Sequence, residues 1–283
     1  MRFVPTSELL QQAASAGYAV PAFPIWDADT MVAILESAEK LKAPVIMMSG
    51  PSELAVIGPA DMGAVAHTVA RRFNTPAALH LDHGDSLELV EACLSAGFTS
   101  VMLDFSNRPL NENAEAMRRV VAMAHPRNVT VEGELGVIGR VDQTTVEGDG
   151  HAALTDPEVA ASFVRGTKID ALAVSIGNAH GMYTTLPQLD FDRLAKLHAA
   201  VPAPLVLHGG SGTPAEDLRR AISLGIAKVN VASELVNALR QSLLEQWGAR
   251  ENLWVPLAQA TAIKAMAPVI EKWLRLTGAA GRA

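Results

Sequence analysis

The sequence predicts an α/β fold: a (β/α)8 TIM barrel with an added C-terminal helix, built by residues 1–283 as a single domain. Three observations predict it. Eight short apolar runs alternate with longer amphipathic segments, the pattern of repeated βα units. A length of 283 residues is long for an average domain and ordinary for one barrel. No composition break or Pro/Ser-rich linker divides the chain. A doubly wound open sheet is the lesser alternative.

The elements follow in order. The first strand is expected at Ala19–Phe23. After it, Met31, Ile34, Leu35, Ala38 and Leu41 recur at three- and four-residue steps, which places them on one helix face. The other strands are expected at Pro44–Met48, Ala77–Leu81, Ser100–Leu103, Asn128–Val131, Ala171–Ser175, Leu205–Leu207 and Ala227–Val229. Their helices start near Asp61, Ser86, Glu112, Asp156, Phe191, Pro214 and Ser233. Thr155-Asp156-Pro157-Glu158 and Thr213-Pro214-Ala215-Glu216 both read as helix starts: an oxygen-bearing cap, a proline suited to the first turn, and an acid. The tail after Pro256 reads as an added helix, Ala260–Leu276, that serves assembly. One long connection, about Leu135 to Leu154, is rich in Gly, Asp and Thr and has the character of a lid.

Composition narrows the function. The chain is 49% hydrophobic and 19% charged, enough to bury a large core and remain in solution. A net charge of -7 argues against a nucleic-acid partner. It leaves an anionic substrate open, because backbone amides bind phosphate within acidic proteins. The lone Cys93 suits a reducing compartment. No signal peptide and no membrane span is read in the chain, so a soluble cytoplasmic protein is expected.

In a barrel, function gathers where strands end. The third strand ends in His80-Leu81-Asp82-His83-Gly84, the fourth in Asp104, and the fifth in Glu132-Gly133-Glu134. The sixth runs into Gly177-Asn178-Ala179-His180-Gly181, the seventh ends in His208-Gly209-Gly210-Ser211-Gly212, and the eighth in Asn230-Val231-Ala232-Ser233. His83, His180 and His208 thus come from three strand ends. Three imidazoles with an open fourth position describe a catalytic zinc site. Asp82 is either a general acid/base or a carboxylate that orients an imidazole. His80 is expected to be packed and hydrogen-bonded, Glu134 to be an alternate ligand or a neighbour of the metal, and Asp104 to be a site residue or a strand cap. The turns at Gly209–Gly212 and Asn230–Ser233 precede helices and form the kind of amide cradle that holds phosphate in barrels. Lys228 is the one lysine placed in a strand, so Schiff-base chemistry on its amine is a rival reading. A non-catalytic phosphosugar-binding partner of a catalytic subunit is another.

The segments HLDHG (80–84), FTSVMLD (98–104), VEGELG (131–136), IGNAHGMY (176–183), VLHGGSGTP (206–214) and AKVNVASEL (227–235) together resemble, in order, the class II metal-dependent fructose-bisphosphate aldolase family. The likeness is greatest to its shorter tagatose-bisphosphate branch and spans nearly the whole chain. The resemblance implies reversible cleavage of a ketose phosphate or bisphosphate to dihydroxyacetone phosphate and an aldehyde. It implies Zn2+ on His83, His180 and His208, stabilising the enediolate, with Glu134 as a reserve ligand. Asp82 would move the hydroxyl proton and Asp142 the carbon proton. Ser49, Gly181, Gly209, Gly210, Ser211, Asn230, Val231, Ala232 and Ser233 would bind substrate. A monovalent cation, Na+ or K+, near the phosphate turns and a homodimer or homotetramer also follow from the resemblance.

The chain departs from the family pattern in several places. The loop Gly139-Arg140-Val141-Asp142-Gln143 has an aspartate for the usual glutamate and Arg140 for a glycine. The first strand ends Phe23-Pro24-Ile25-Trp26-Asp27 where a Phe-Asn pattern is usual. Glu251–Leu257 holds no match to an Asp-Pro-Arg motif, and Ser106-Asn107-Arg108 follows Phe105 where glycine is common. These changes lie toward the aldehyde half, so an ordinary donor and an unusual aldehyde, even one without a second phosphate, are expected.

Overall fold

The computed structural model describes residues 3–140, 153–181, 187–250 and 253–283. In chain order its strands are β1 (Val20–Pro24), β2 (Val45–Ser49), β3 (Ala77–Gly84), β4 (Ser100–Leu103), β5 (Thr130–Leu135), β6 (Gly139–Arg140), β7 (Ala171–Val174), β8 (Ala179–His180), β9 (Leu205–Leu207) and β10 (Ile226–Asn230). Among the described residues β6 and β8 pair only with each other. The other eight, all parallel, close a barrel in chain order, with β10 returning to β1 through Val20↔Lys228 and Ala22↔Asn230. The expected TIM barrel is the fold.

The helices are α1 (Thr6–Ala16), α2 (Ala28–Lys40), α3 (Pro51–Ile57), α4 (Pro59–Ala70), α5 (Leu87–Ser95), α6 (Leu110–Ala124), α7 (Pro157–Thr167), α8 (Phe191–Ala200), α9 (Ala215–Ser223), α10 (Ser233–Ala249) and α11 (Val255–Leu276). Local chemistry sets several starts. Asp27 and Thr30 form a reciprocal capping box on α2. Asp156 accepts the amides of Glu158 and Val159 at the start of α7, as its sequence signal implied. The matching signal at Thr213 works differently: α9 has no side-chain cap, and the buried Thr213 hydroxyl has no hydrogen-bond partner among the described residues.

Four differences from expectation have local causes. α1 escaped the strand-and-helix count because its apolar face is short; Leu9, Leu10 and Ala13 bury it against the N-terminal end of the barrel. Val4 N–H donates to Ala77 and Ser7 N–H to Thr130 Oγ1, so this segment closes the barrel floor. α3 is a short turn of helix whose Glu53 carboxylate accepts from Gly50 N–H. β5 begins at Thr130, because Asn128 stands in the left-handed region after a short 3-10 turn. It then continues to Leu135, because Glu132 and Glu134 are buried rather than solvated. Pro256 sits in the first turn of α11 and so starts that helix at Val255, five residues before the expected Ala260.

The outward faces of the strands supply the apolar core: Leu79, Leu81, Val131, Leu172, Leu205, Leu207 and Val229 are buried under the helices. The inside of the barrel is unusual. Barrels mostly fill it with branched apolar residues. Here His80, Ser100, Glu132, Glu134, His208, Lys228 and Asn230 are all buried. Cys93, in α5, is buried as well, and burial pushes its thiol up to about 12, which makes it inert. Among the described residues no helix is long and apolar enough to cross a membrane.

Candidate active site

Strict alternation along a strand would send Asp82 and His83 to opposite faces. A register shift between Leu81 and Gly84 breaks that alternation, and His83 adopts φ 46, a left-handed conformation uncommon outside glycine. The bulge lets both side chains serve the mouth: Asp82 Oδ1 accepts from Asn230 Nδ2 at 2.9 Å, and His83 meets the other two imidazoles.

His83, His180 and His208 bring one nitrogen each to within 4.8 Å of one another. Their ring centroids lie 5.0 Å (83–180), 4.6 Å (83–208) and 5.7 Å (180–208) apart. The far side of two rings is fixed by carboxylates. His83 Nδ1 meets Asp104 Oδ2 at 2.7 Å, and His208 Nε2 meets Glu132 Oε1 at 2.9 Å. Those partners take the ring N–H, so His83 Nε2 and His208 Nδ1, 2.9 Å apart, face a common point. Asp104 is thereby a site residue that orients His83. Asp82 is not the orienter; that role falls to Asp104 and Glu132.

His83, Asp104 and Glu134 form a second group able to hold a metal. Glu134 Oε2 lies 3.4 Å from His208 Nδ1 and is buried with no hydrogen-bond partner among the described residues. Burial, with Asp104 adding to it, pushes Glu134 up to about 8. Burial works against a charged His83, yet Asp82, Asp104 and Glu134 lift its imidazole to about 10. Burial and the His83 charge lower His208 well below its usual value. Burial opposes ionisation of Asp82, and His83, His208 and Lys228 outweigh it, so Asp82 sits below its ordinary value. A mouth that holds positive charge this strongly, and offers three imidazoles plus an orphaned carboxylate oxygen, has the donor chemistry of a divalent site. The residues fit a metal.

Below the mouth lies a closed polar layer. Lys228 Nζ donates to Glu132 Oε2 at 2.7 Å and to His80 Nε2 at 3.0 Å. His80 Nδ1 pairs with Ser100 Oγ at 2.8 Å, the packed role expected for it. Burial and Lys228 hold His80 neutral, its imidazole well below the usual range.

The two glycine turns come together. Gly210 N–H donates to Asn230 O, and Val231 N–H to Ala22 O, both at 2.9 Å. Those two amides bind the scaffold, so Gly210 and Val231 fix how the turns meet the strands. Gly209, at φ 65, must be glycine because a Cβ would strike the Ala179 carbonyl beside His180. Ala232 and Ser233 stand at the start of α10, Ser211 in the turn after β9 accepts from Glu234 N–H of that helix, and Gly181 follows His180 directly. Ser49 ends β2 buried, with its hydroxyl donating to Ile25 O at 2.9 Å. Asp142 lies outside the described residues.

Some contributors had no clear sequence signal. Glu132 was legible only by sharing strand parity with Glu134. Asn178 bridges Ile176 N–H and His208 O, which holds the sixth and seventh strand ends together.

A parallel barrel whose mouth gathers three histidines able to hold a metal, with a carboxylate beside them, has the make-up of a metal-dependent barrel enzyme. The family model for class-II fructose-bisphosphate aldolase matches residues 4–282, and the chain belongs to that family: it is an aldolase. Its structure is similar to that of the YdjI aldolase from Escherichia coli K12, at 32% identity, TM-score 0.87 and 99% of each chain covered. The fructose-bisphosphate aldolase of Campylobacter jejuni shares the fold at 22% identity, TM-score 0.85, over 100% of this chain and 97% of that one. Family membership sets aside the non-catalytic subunit. The ion-paired, buried Lys228 gives the Schiff-base alternative no support.

Proposed function

We propose that the enzyme reversibly cleaves a ketose phosphate or ketose bisphosphate to dihydroxyacetone phosphate and an aldehyde, with Zn2+ held by His83, His180 and His208. The observation that carries this reading is the convergence of those three imidazoles next to Asp82. A bound divalent ion supplies Lewis-acid polarisation of the substrate carbonyl and a positive charge against the anion left by carbon–carbon cleavage.

The protein's own groups do the rest. Asp82, held by Asn230 and kept ionised, takes the proton of the hydroxyl on the carbon that becomes the aldehyde. The carbon–carbon bond breaks, the aldehyde carbonyl forms, and the electron pair stays on the dihydroxyacetone-phosphate fragment. That fragment then accepts a proton on carbon, which the family resemblance assigns to Asp142. Condensation reverses each step. Ser211, Ala232, Ser233 and Gly181 line the donor phosphate, Gly209 permits the close approach of the chain there, and Glu134 serves as the reserve ligand. A Na+ or K+ beside the phosphate turns, a homodimer or homotetramer, and a cytoplasmic location complete the reading.

The aldehyde is the variable half of this reading, since the family resemblance assigns the departures at Phe23–Asp27 and Ser106–Arg108 to that half. Incubating zinc-loaded protein with dihydroxyacetone phosphate and a panel of free and phosphorylated aldehydes tests the function. A new ketose phosphate is expected. No product from any aldehyde, with metal bound, contradicts it.

A further inference from the structure

The start of α10 carries one carboxylate with an unusually complete set of partners. Glu234 Oε1 accepts from Gly212 N–H at 2.9 Å, in the turn after β9. Its own N–H donates to Ser211 Oγ at 3.1 Å, in the same turn. The two bonds are reciprocal, like a capping box closed between two separate loops. The other oxygen, Oε2, accepts from Lys272 Nζ at 2.8 Å and from Trp273 Nε1 at 3.0 Å, both on α11. Trp273 is fully buried, while Lys272 lies largely in solvent.

We infer that Glu234 is a positioning residue through which α11 sets the shape and charge of the donor-phosphate cradle, an inference that rests on the phosphate reading above.

Geometry supports the positioning. Gly212 N–H is turned away toward Glu234, and Gly210 N–H is bonded to Asn230 O. Two of the loop's amides are therefore fixed, and the orientation of the peptides between them, at Ser211, follows. Ser211 Oγ acts as acceptor toward Glu234, so its hydroxyl hydrogen remains available to an anion. Trp273 provides rigidity: a buried indole N–H needs an acceptor, and Glu234 supplies it.

Charge supports the rest. A carboxylate beside an anion site repels the anion unless it is neutralised. Lys272 and the two N–H donors do that, and although burial opposes ionisation they hold Glu234 below its ordinary value. Removing Lys272 leaves the negative charge in place next to the cradle. Removing Glu234 frees the Gly212 amide and loosens the turn. The C-terminal helix, which contributes no strand to the barrel, thus contributes to substrate binding at a distance.

The test compares four variants of the full-length, zinc-loaded protein, with inorganic phosphate and dihydroxyacetone phosphate as calorimetric probes. Lys272→Met is expected to weaken binding of both about threefold, and Glu234→Gln about tenfold. KM should rise by the same factors, kcat should stay within about twofold, and zinc stoichiometry should be unchanged. Lys272→Arg should restore phosphate affinity. Met266→Ala, which removes buried volume from the same helix, should lower Tm and leave phosphate affinity as in the parent. Parent-like phosphate affinity in both Lys272→Met and Glu234→Gln overturns the coupling alone. Equal loss of affinity in Met266→Ala reduces it to general stability and overturns it as well. A parent protein that binds neither probe overturns the phosphate reading together with this inference. Because Lys272 is largely exposed, its substitution leaves the fold intact and the test decisive.

Discussion

Two polar regions lie one above the other inside this barrel, and they are built to different ends. In the lower one, around Lys228, Glu132, His80 and Ser100, every side chain meets a partner within the protein. In the upper one, Glu134 Oε2 and Asn230 Oδ1 are buried without hydrogen-bond partners among the described residues, and two imidazole nitrogens face each other across 2.9 Å. An unpaired buried polar atom costs free energy, so native proteins seldom keep one without use. The lower layer is complete within the protein; the upper layer keeps donor atoms able to hold a ligand. Glu132 joins the two, with one oxygen on Lys228 and the other on His208.

Substitutions separate the regions. The largest effect is expected at the mouth. His208→Ala should lose stoichiometric metal and lower activity by about a thousandfold or more, measured by elemental analysis and steady-state rates. Retained stoichiometric zinc in that variant removes His208 from the ligand set. Asp82→Ala should keep its metal and lose roughly 10²- to 10⁴-fold in kcat. Unchanged turnover there gives the proton transfer to another group.

Below the mouth the loss should appear as stability. Lys228→Met leaves the Glu132 carboxylate buried without its ion pair and should cost about 3–5 kcal/mol in urea unfolding. A loss under about 1 kcal/mol would show that the lower layer is not the closed unit described. Glu132→Gln tests the junction: it weakens the acceptor that fixes the His208 ring. Metal affinity should fall about 10- to 100-fold in a chelator competition. The smallest effect belongs to a helix cap, Asp27→Ala on α2, at about 1 kcal/mol of stability with metal affinity unchanged.

The same contrast explains what the sequence revealed. Apolar runs alternating with amphipathic segments showed the barrel, because each strand is covered by helices outside and its period is easily read. His83, His180 and His208 stood out because each follows an apolar strand and adjoins a glycine or an aspartate. The bulge that turns His83 inward left no sequence signature, for His83 holds a left-handed conformation that nothing in HLDHG demands. Glu132 was hidden because its two partners, His208 and Lys228, are 76 and 96 residues away. Glu234 was hidden likewise, since a carboxylate in the first turn of a helix reads as an ordinary favourable end charge. α1 escaped because a short helix on a barrel floor carries no motif.

The central claim is that three imidazoles share one divalent ion. X-ray absorption at the zinc edge of the active, metal-loaded protein tests it most directly. A shell of about three imidazole nitrogens completed by oxygen is expected. A shell of water oxygens alone, or full activity in protein stripped of metal, contradicts the claim.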